Sequence, residues 1–165
     1  MTPPPAQASP KITLERSYTA NAQDLWELWT TKEGFESWWG PEGFRVEVRK
    51  LDLRIGGELH YDMIADAPEQ IAAMKSMNMP TSHSVRARFS EITPLKRLEI
   101  THIIDFVPGA QAYENRSRVE FFQEGRTVRM VVTVDPHHDP EWTQRASMGW
   151  ESQLRKLPAA LAARG

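Results

Sequence analysis

The C-terminal part of the chain carries the strongest constraint on the fold. Trp142, Ala146, Trp150, Leu154, Leu157 and Leu161 follow one another at spacings of 4, 4, 4, 3 and 4. That period places all six on one stripe of an α-helix. Asp139 supplies a cap, Pro140 the first helical position and Glu141 an acidic first turn. The predicted helix has about 23 residues and so spans roughly 35 Å, enough to cross a small sheet. Pro158 lies inside the pattern and predicts a kink or a broken last turn, because a proline in a straight helix costs about 3 kcal/mol.

The segments before that helix predict the surface that covers it. Ile12, Leu14 and Tyr18 alternate with polar residues as a half-buried strand, with Arg16 on the apolar side at the sheet edge. Asn21 caps a helix from Ala22 whose Leu25, Leu28 and Trp29 share a face. Gly34 is expected to break it, with a second short turn over Phe35 to Trp39 ending at Gly40-Pro41. Phe44, Val46 and Val48 alternate as a second strand, and Leu59, Tyr61 and Met63 as a third. Asp52-Leu53-Arg54-Ile55-Gly56-Gly57 between them predicts a sharp connection in which the paired glycines take positive φ or a bulge.

Four further strands are expected. Val85, Ala87 and Phe89 mark the first, and Leu98, Ile100, His102, Ile104 and Phe106 the second. Val119 and Phe121 mark the third, and Val128, Met130, Val132 and Val134 the last. Pro94 to Lys96, Val107 to Glu114 and Glu124-Gly125 connect them. Consecutive short strands joined by short turns make an antiparallel meander. The fold class is therefore α+β: a curved antiparallel sheet of about seven strands around a long C-terminal helix, with two short helices after the first strand. One helix does not fill the hollow of so large a sheet, so a cavity between them is the expected consequence.

Composition removes several function classes. Twenty Lys and Arg against 22 Asp and Glu leave a net charge of −2, without the basic excess that phosphate binding draws on. There is no cysteine, hence no disulfide and no thiolate chemistry. No apolar run approaches the ~20 residues of a membrane span. Four of the 12 prolines fall in Met1 to Pro10, so residues 1–11 are expected to form a disordered tail and 12–165 a single domain. The tail lacks the apolar core of a signal peptide, and a cytoplasmic protein is expected. Six Trp and seven Met suit either a coarse core or an adaptable apolar pocket.

No phosphate loop, nucleophile elbow or His-Glu-x-x-His pair occurs, and neither cofactor nor metal is expected. His137-His138-Asp139 reads as a polar lead into the helix cap, since adjacent residues point apart. His60 belongs to an outer face and His83 to a rim. His102 differs, because it shares a face with Leu98, Ile100 and Ile104 and must find a partner there, such as a tyrosine, Arg16 or water. Residues 65–82 form a long connection in which Pro68 starts a short helix and Pro80 ends the segment. Its Met74, Met77 and Met79 are read either as a loosely packed loop or as an apolar lid over the cavity.

Trp29, Trp38-Trp39-Gly40-Pro41 with Phe44, Asp52-Leu53-Arg54-Ile55-Gly56-Gly57, and Gly149-Trp150 with Leu154 and Leu157 occur in an order that resembles a known family. They are similar to bacterial SRPBCC proteins akin to the activator of the heat-shock-protein-90 ATPase, within the START-like or Bet v 1-like superfamily. The resemblance covers Ile12 to about Ala162 and implies the helix-grip fold. It implies an apolar cavity rather than a catalytic constellation, and structural roles for the motifs: Asp52 and Arg54 fixing the bulge, Trp38 and Trp39 closing one end of the sheet.

The expected function is binding of a hydrophobic or aromatic small molecule for carriage, sequestration or sensing. The expected ligand-binding residues are Tyr61, Met63, Phe89, His102, Ile104, Phe121, Met130 and Trp142, from same-parity strand faces and the helix stripe. The alternative is a cyclase- or hydrolase-like enzyme using His102 with Tyr61 or Arg16. A third reading is a protein–protein module that modulates a chaperone ATPase; it ranks last because such activators pair this domain with another, for which the residues before the first strand leave no room. No nucleic acid and no membrane insertion are expected, and an exposed edge strand would permit a homodimer.

Overall fold

Among the described residues the polypeptide folds as a strand, two short helices, two strands, a further short helix, four strands and a C-terminal helical segment. The computed structural model describes residues 11–105 and 111–164. Residues 1–10 of the expected 1–11 tail, Phe106 and the Pro108-Gly109 turn lie outside the described residues.

The strands are β1 (Ile12–Thr19), β2 (Phe44–Leu51), β3 (Glu58–Ala65), β4 (Ser82–Thr93), β5 (Arg97–Ile104), β6 (Tyr113–Glu124) and β7 (Thr127–Val134). They form one antiparallel sheet in the order β1-β7-β6-β5-β4-β3-β2. Register shifts at Val48/Lys50 and at Phe89/Glu91 bend β2 and β4, and the sheet curls into a half-barrel. Alternation decides which face is inside: Leu59 and Tyr61, Val85 to Phe89, and Val128 to Val134 all bury every second residue. The outer face carries ion pairs, among them Arg97 to Glu91 and Glu120, and Arg118 to Glu99.

The hollow is closed by α1 (Ala22–Thr30), α2 (Lys32–Glu36), α4 (Pro140–Leu154) and α5 (Leu157–Arg164). The Asn21 side chain accepts from Asp24 N at 2.8 Å and starts α1 where expected. The helix ends at Thr31 rather than Gly34. Thr31 caps α1 through its N–H to Glu27 O and opens α2 by accepting from Gly34 N at 3.0 Å. Gly34 sits inside α2 because a Cβ there would lie 2.7 Å from Leu28 Cα, so the glycine lets the two helices touch. A two-residue turn at Arg155-Lys156 separates α4 from α5, and Pro158 occupies the first turn of α5, where its missing N–H does no harm. The kink expected from Pro158 thus falls before it.

The core is built around tryptophans. Trp29 meets Trp38 edge-on at 4.9 Å and Trp39 at 5.6 Å, and stacks on Trp150 of α4 at 6.1 Å. Phe35 stacks on Trp39 at 4.4 Å. Trp38 Nε1 donates to Leu28 O at 2.8 Å, which ties α1 to the turn after α2. Trp29 Nε1 is buried without a hydrogen-bond partner among the described residues, and ring packing holds that indole.

The 65–82 connection holds α3 (Pro68–Ser76), but none of its residues is buried. Among the described residues, no helix is long and apolar enough to cross a membrane.

The glycine pair between β2 and β3 is used differently from expectation. Only Gly56 has positive φ, +83°, and it faces open space. Gly57 is required by close approach, since a Cβ there would fall 2.0 Å from Asp52 O. Arg54 Nε donates to Asp52 Oδ2 at 2.6 Å, and Gly56 N and Phe89 N bind Phe89 O and Gly57 O across the turn. Gly57→Val is therefore expected to destabilise the fold by more than about 1.5 kcal/mol. The midpoint of chemical denaturation measures it, and an unchanged midpoint would mean that the turn relaxes freely.

Candidate functional site

Helix α4 lies unevenly on the sheet. Its C-terminal end is buried through Trp150, Gln153 and Leu154, whereas Trp142 and Ala146 near its start are only half-buried. The inner sheet face is graded in the same direction. On β6 it runs from buried Asn115 and Ser117 to apolar Val119 and Phe121, and on β5 from His102 to Leu98. A pocket of about 360 Å³ remains between the polar end of the sheet and the first half of α4. Tyr61 and Met63 of β3, His102 and Ile104 of β5, and Asn115 and Ser117 of β6 form its floor. Trp142, Ala146, Gly149 and Trp150 form its roof, with Trp39, Pro41 and His137 at its ends.

Of the eight expected ligand-binding residues, Tyr61, Met63, His102, Ile104 and Trp142 line this pocket. Phe89, Phe121 and Met130 share the face but sit in the closed core, at 0%, 4% and 0% exposure. Their end of the hollow is filled by α1: Trp26 and Trp29 pack edge-on against Phe121 at 6.1 and 6.4 Å. Strand parity identifies the face and not the position along it. Met74, Met77 and Met79 do not line the pocket, and Met77 is 59% exposed, so the lid reading fails.

His102 finds its partner in Tyr61, not Arg16, which instead pairs with Glu151 of α4. Tyr61 Oη lies 2.9 Å from His102 Nε2 and accepts from Trp39 Nε1 at 3.0 Å. Among the described residues His102 Nε2 is the one acceptor within reach of the phenol's single proton, so the phenol donates and the imidazole accepts. Trp39 also lies parallel to the His102 ring at 6.0 Å. Burial lowers the His102 pKa to about 4, and the neighbouring His137 acts in the same direction. Burial likewise raises the Tyr61 pKa far above its usual value.

The pocket also holds residues that the sequence reading left out. Asn115 and Ser117 follow from continuing the Val119–Phe121 alternation backwards by two and four positions. Gln153 flanks the helix stripe three residues after Trp150, and its Oε1 accepts from Gly40 N at 2.9 Å. His137 was read as part of a polar lead-in. Its Nδ1 lies 2.5 Å from Tyr113 Oη, a contact between β6 and the segment before α4 that no local pattern carries. Asp139 Oδ1 accepts from Trp142 N at 2.7 Å and acts as the expected cap. Arg145 lies over Trp142 at 5.3 Å at the rim and pairs with Glu141 at 2.8 Å.

Solved structures share this architecture. An AHSA1 protein from Silicibacter pomeroyi aligns with a TM-score of 0.74 at 22% identity, over 94% of this chain and 99% of that one. A protein from Nitrosomonas europaea aligns with a TM-score of 0.72 at 20% identity, over 99% and 100%. CalU16 from Micromonospora echinospora aligns with a TM-score of 0.62 at 15% identity, over 92% and 75%. No curated protein matches the chain. The model of the family "Activator of Hsp90 ATPase homolog 1-like protein" matches residues 19–162, and the chain belongs to that family, within the SRPBCC superfamily.

Proposed function

We propose that the protein binds an apolar or aromatic small molecule in the pocket between the sheet and α4. One observation carries this reading: the space is maintained by a glycine where the helix would favour a larger residue. Gly149 lies in the interior of α4, where glycine costs about 1 kcal/mol relative to alanine. A Cβ at Gly149 would meet nothing within 4 Å, so no packing constraint excludes a side chain. The walls are mainly indole, thioether and aliphatic surface, which suits a ligand of the same character. The enzyme reading is weaker, because an imidazole with a pKa of about 4 is a poor general base at neutral pH. The proposed contact residues are Tyr61, Met63, His102, Ile104 and Trp142.

An apolar fluorescent probe is expected to enter the pocket and perturb tryptophan emission. His102→Phe should weaken uptake and keep the fold, since a phenyl ring suits a face made of Leu98, Ile100 and Ile104. A folded parent that takes up no probe at any concentration would sink the binding reading. A folded His102→Phe that binds like the parent would remove His102 from the contact set.

Gly149→Leu tests the space itself. The side chain should extend into the pocket, abolish probe uptake, and leave the denaturation midpoint equal or higher through its better helix propensity. Unchanged uptake would locate the probe elsewhere.

The His102 environment also predicts a pH dependence. Its pKa in the fold, about 4, lies below the ordinary value of 6.5, so between these values the unfolded chain binds the proton better. The contribution is complete above about pH 6.5 and is lost as pH falls through 4, by roughly 3–4 kcal/mol at most. Denaturation from pH 7 to 4.5 should therefore cost the parent more stability than it costs His102→Phe. Parallel losses would show that the folded imidazole titrates normally.

A further inference from the structure

The hydrogen-bonding groups of the pocket share an orientation that defines the ligand further. Three lining side chains each spend an acceptor atom on the protein and keep an N–H free. His102 Nε2 is taken by the Tyr61 hydroxyl, which leaves Nδ1 to carry the ring proton. Gln153 Oε1 is taken by Gly40 N, which fixes the amide and leaves Nε2–H₂. Tyr113 Oη lies 2.5 Å from His137 Nδ1 and 3.4 Å from His138 Nδ1; a phenol that donates to the nearer ring leaves His137 with Nε2–H. Among the described residues none of these three N–H groups has a hydrogen-bond partner, and His102 and Gln153 are 8% and 5% exposed. The Ser117 hydroxyl makes no hydrogen bond to another described residue. Asn115 donates Nδ2 to Asp135 O at 2.9 Å and contributes the one fixed acceptor, its carbonyl.

His102, Gln153 and His137 each line the pocket, so an acceptor on a ligand can take the place of the water their N–H groups would otherwise hold. An uncharged acceptor suits them, because the one guanidinium that lines the pocket, Arg145, lies at the rim already paired with Glu141. A carboxylate head would be buried without a cation, at a cost of several kcal/mol. Trp39, Trp142 and Trp150 supply flat walls. We propose that the pocket selects a flat aromatic molecule bearing a neutral carbonyl oxygen, which accepts from the free N–H groups of His102, Gln153 and His137. This rests on the pocket being a ligand site, as proposed above.

Three probes of one shape separate the possibilities: fluorene, fluorenone, and fluorene carrying a carboxylate. They are titrated into the full chain at pH 7.5 and followed by tryptophan emission. Fluorenone is expected to bind about tenfold more tightly than fluorene, the worth of one good hydrogen bond in a dry site. The advantage should disappear in His102→Phe, which should bind fluorene and fluorenone alike and more weakly than the parent binds fluorene. Equal affinity for fluorene and fluorenone overturns the donor inference and leaves the binding reading standing, tightest binding of the carboxylate overturns the neutral-acceptor assignment, and binding of none of the three overturns both. An independent readout is the ¹⁵N spectrum of the His102 ring in the unliganded protein. The inference requires the proton on Nδ1, and a proton on Nε2 would overturn it.

Discussion

The Trp39 indole holds the two halves of the molecule in register. One face is stacked by Phe35 at 4.4 Å, and its edge contacts bring in Trp29, Trp38 and Trp150. Its N–H binds Tyr61, and its ring lies parallel to His102. The same side chain is therefore core on one side and pocket wall on the other. The Tyr61–His102 pair depends on it directly. Trp39 fills one lone pair of Tyr61 Oη, and the phenol's proton has His102 Nε2 as its partner. Packing around the turn after α2 thus bears on the hydrogen bonding of a residue on β5.

A second constraint anchors the helix over the pocket. At the α4–α5 break, Lys156 Nζ donates to Trp39 O, Gly40 O and Phe44 O at 3.3, 3.0 and 3.1 Å. Gln153 takes Gly40 N, Ser152 takes Glu42 N, and Arg155 pairs with Glu42. The ammonium satisfies carbonyls left open by the Gly40–Gly43 loop, and burial lowers the Lys156 pKa. This clamp fixes the C-terminal end of α4, and the contact of Tyr113 with His137 ties the segment that leads into its start. Between these ties the helix can stand off the sheet without collapsing onto it, and the pocket occupies that span.

The parts of the fold that rest on short-range periodicity were legible in the sequence. The seven strands, the α1 cap at Asn21, the Asp139 cap and the stripe from Trp142 to Leu161 all follow from rules that act within one or two turns. Gly34 and Gly57 show where such rules stop. Both glycines are needed, but for close approach of backbone from elsewhere in the chain, which no local pattern encodes. The candidate site divides along the same line. Tyr61, Met63, His102, Ile104 and Trp142 could be named because alternation and helical period assign a face. Phe89, Phe121 and Met130 were included because those periods do not say where along the hollow α1 would insert Trp26 and Trp29. His137 and Gln153 were missed because their roles arise from tertiary partners, Tyr113 and Gly40.

The location of the pocket follows from unequal side-chain sizes on the two surfaces that face each other. Over the apolar end of the sheet, α4 and α1 present Trp150, Leu154, Trp26 and Trp29, and the interior closes. Over the polar end, α4 presents Ala146 and Gly149, and the sheet presents Ser117 and Asn115, which are short. Filling that end with larger apolar groups would bury more surface at about 25 cal/mol per Å² and would leave His102 and Gln153 nothing to donate to. Short residues on α4 leave the volume open, and His102, Asn115 and Ser117 face it from the sheet, so the pocket lies where neither surface carries side chains large enough to close it.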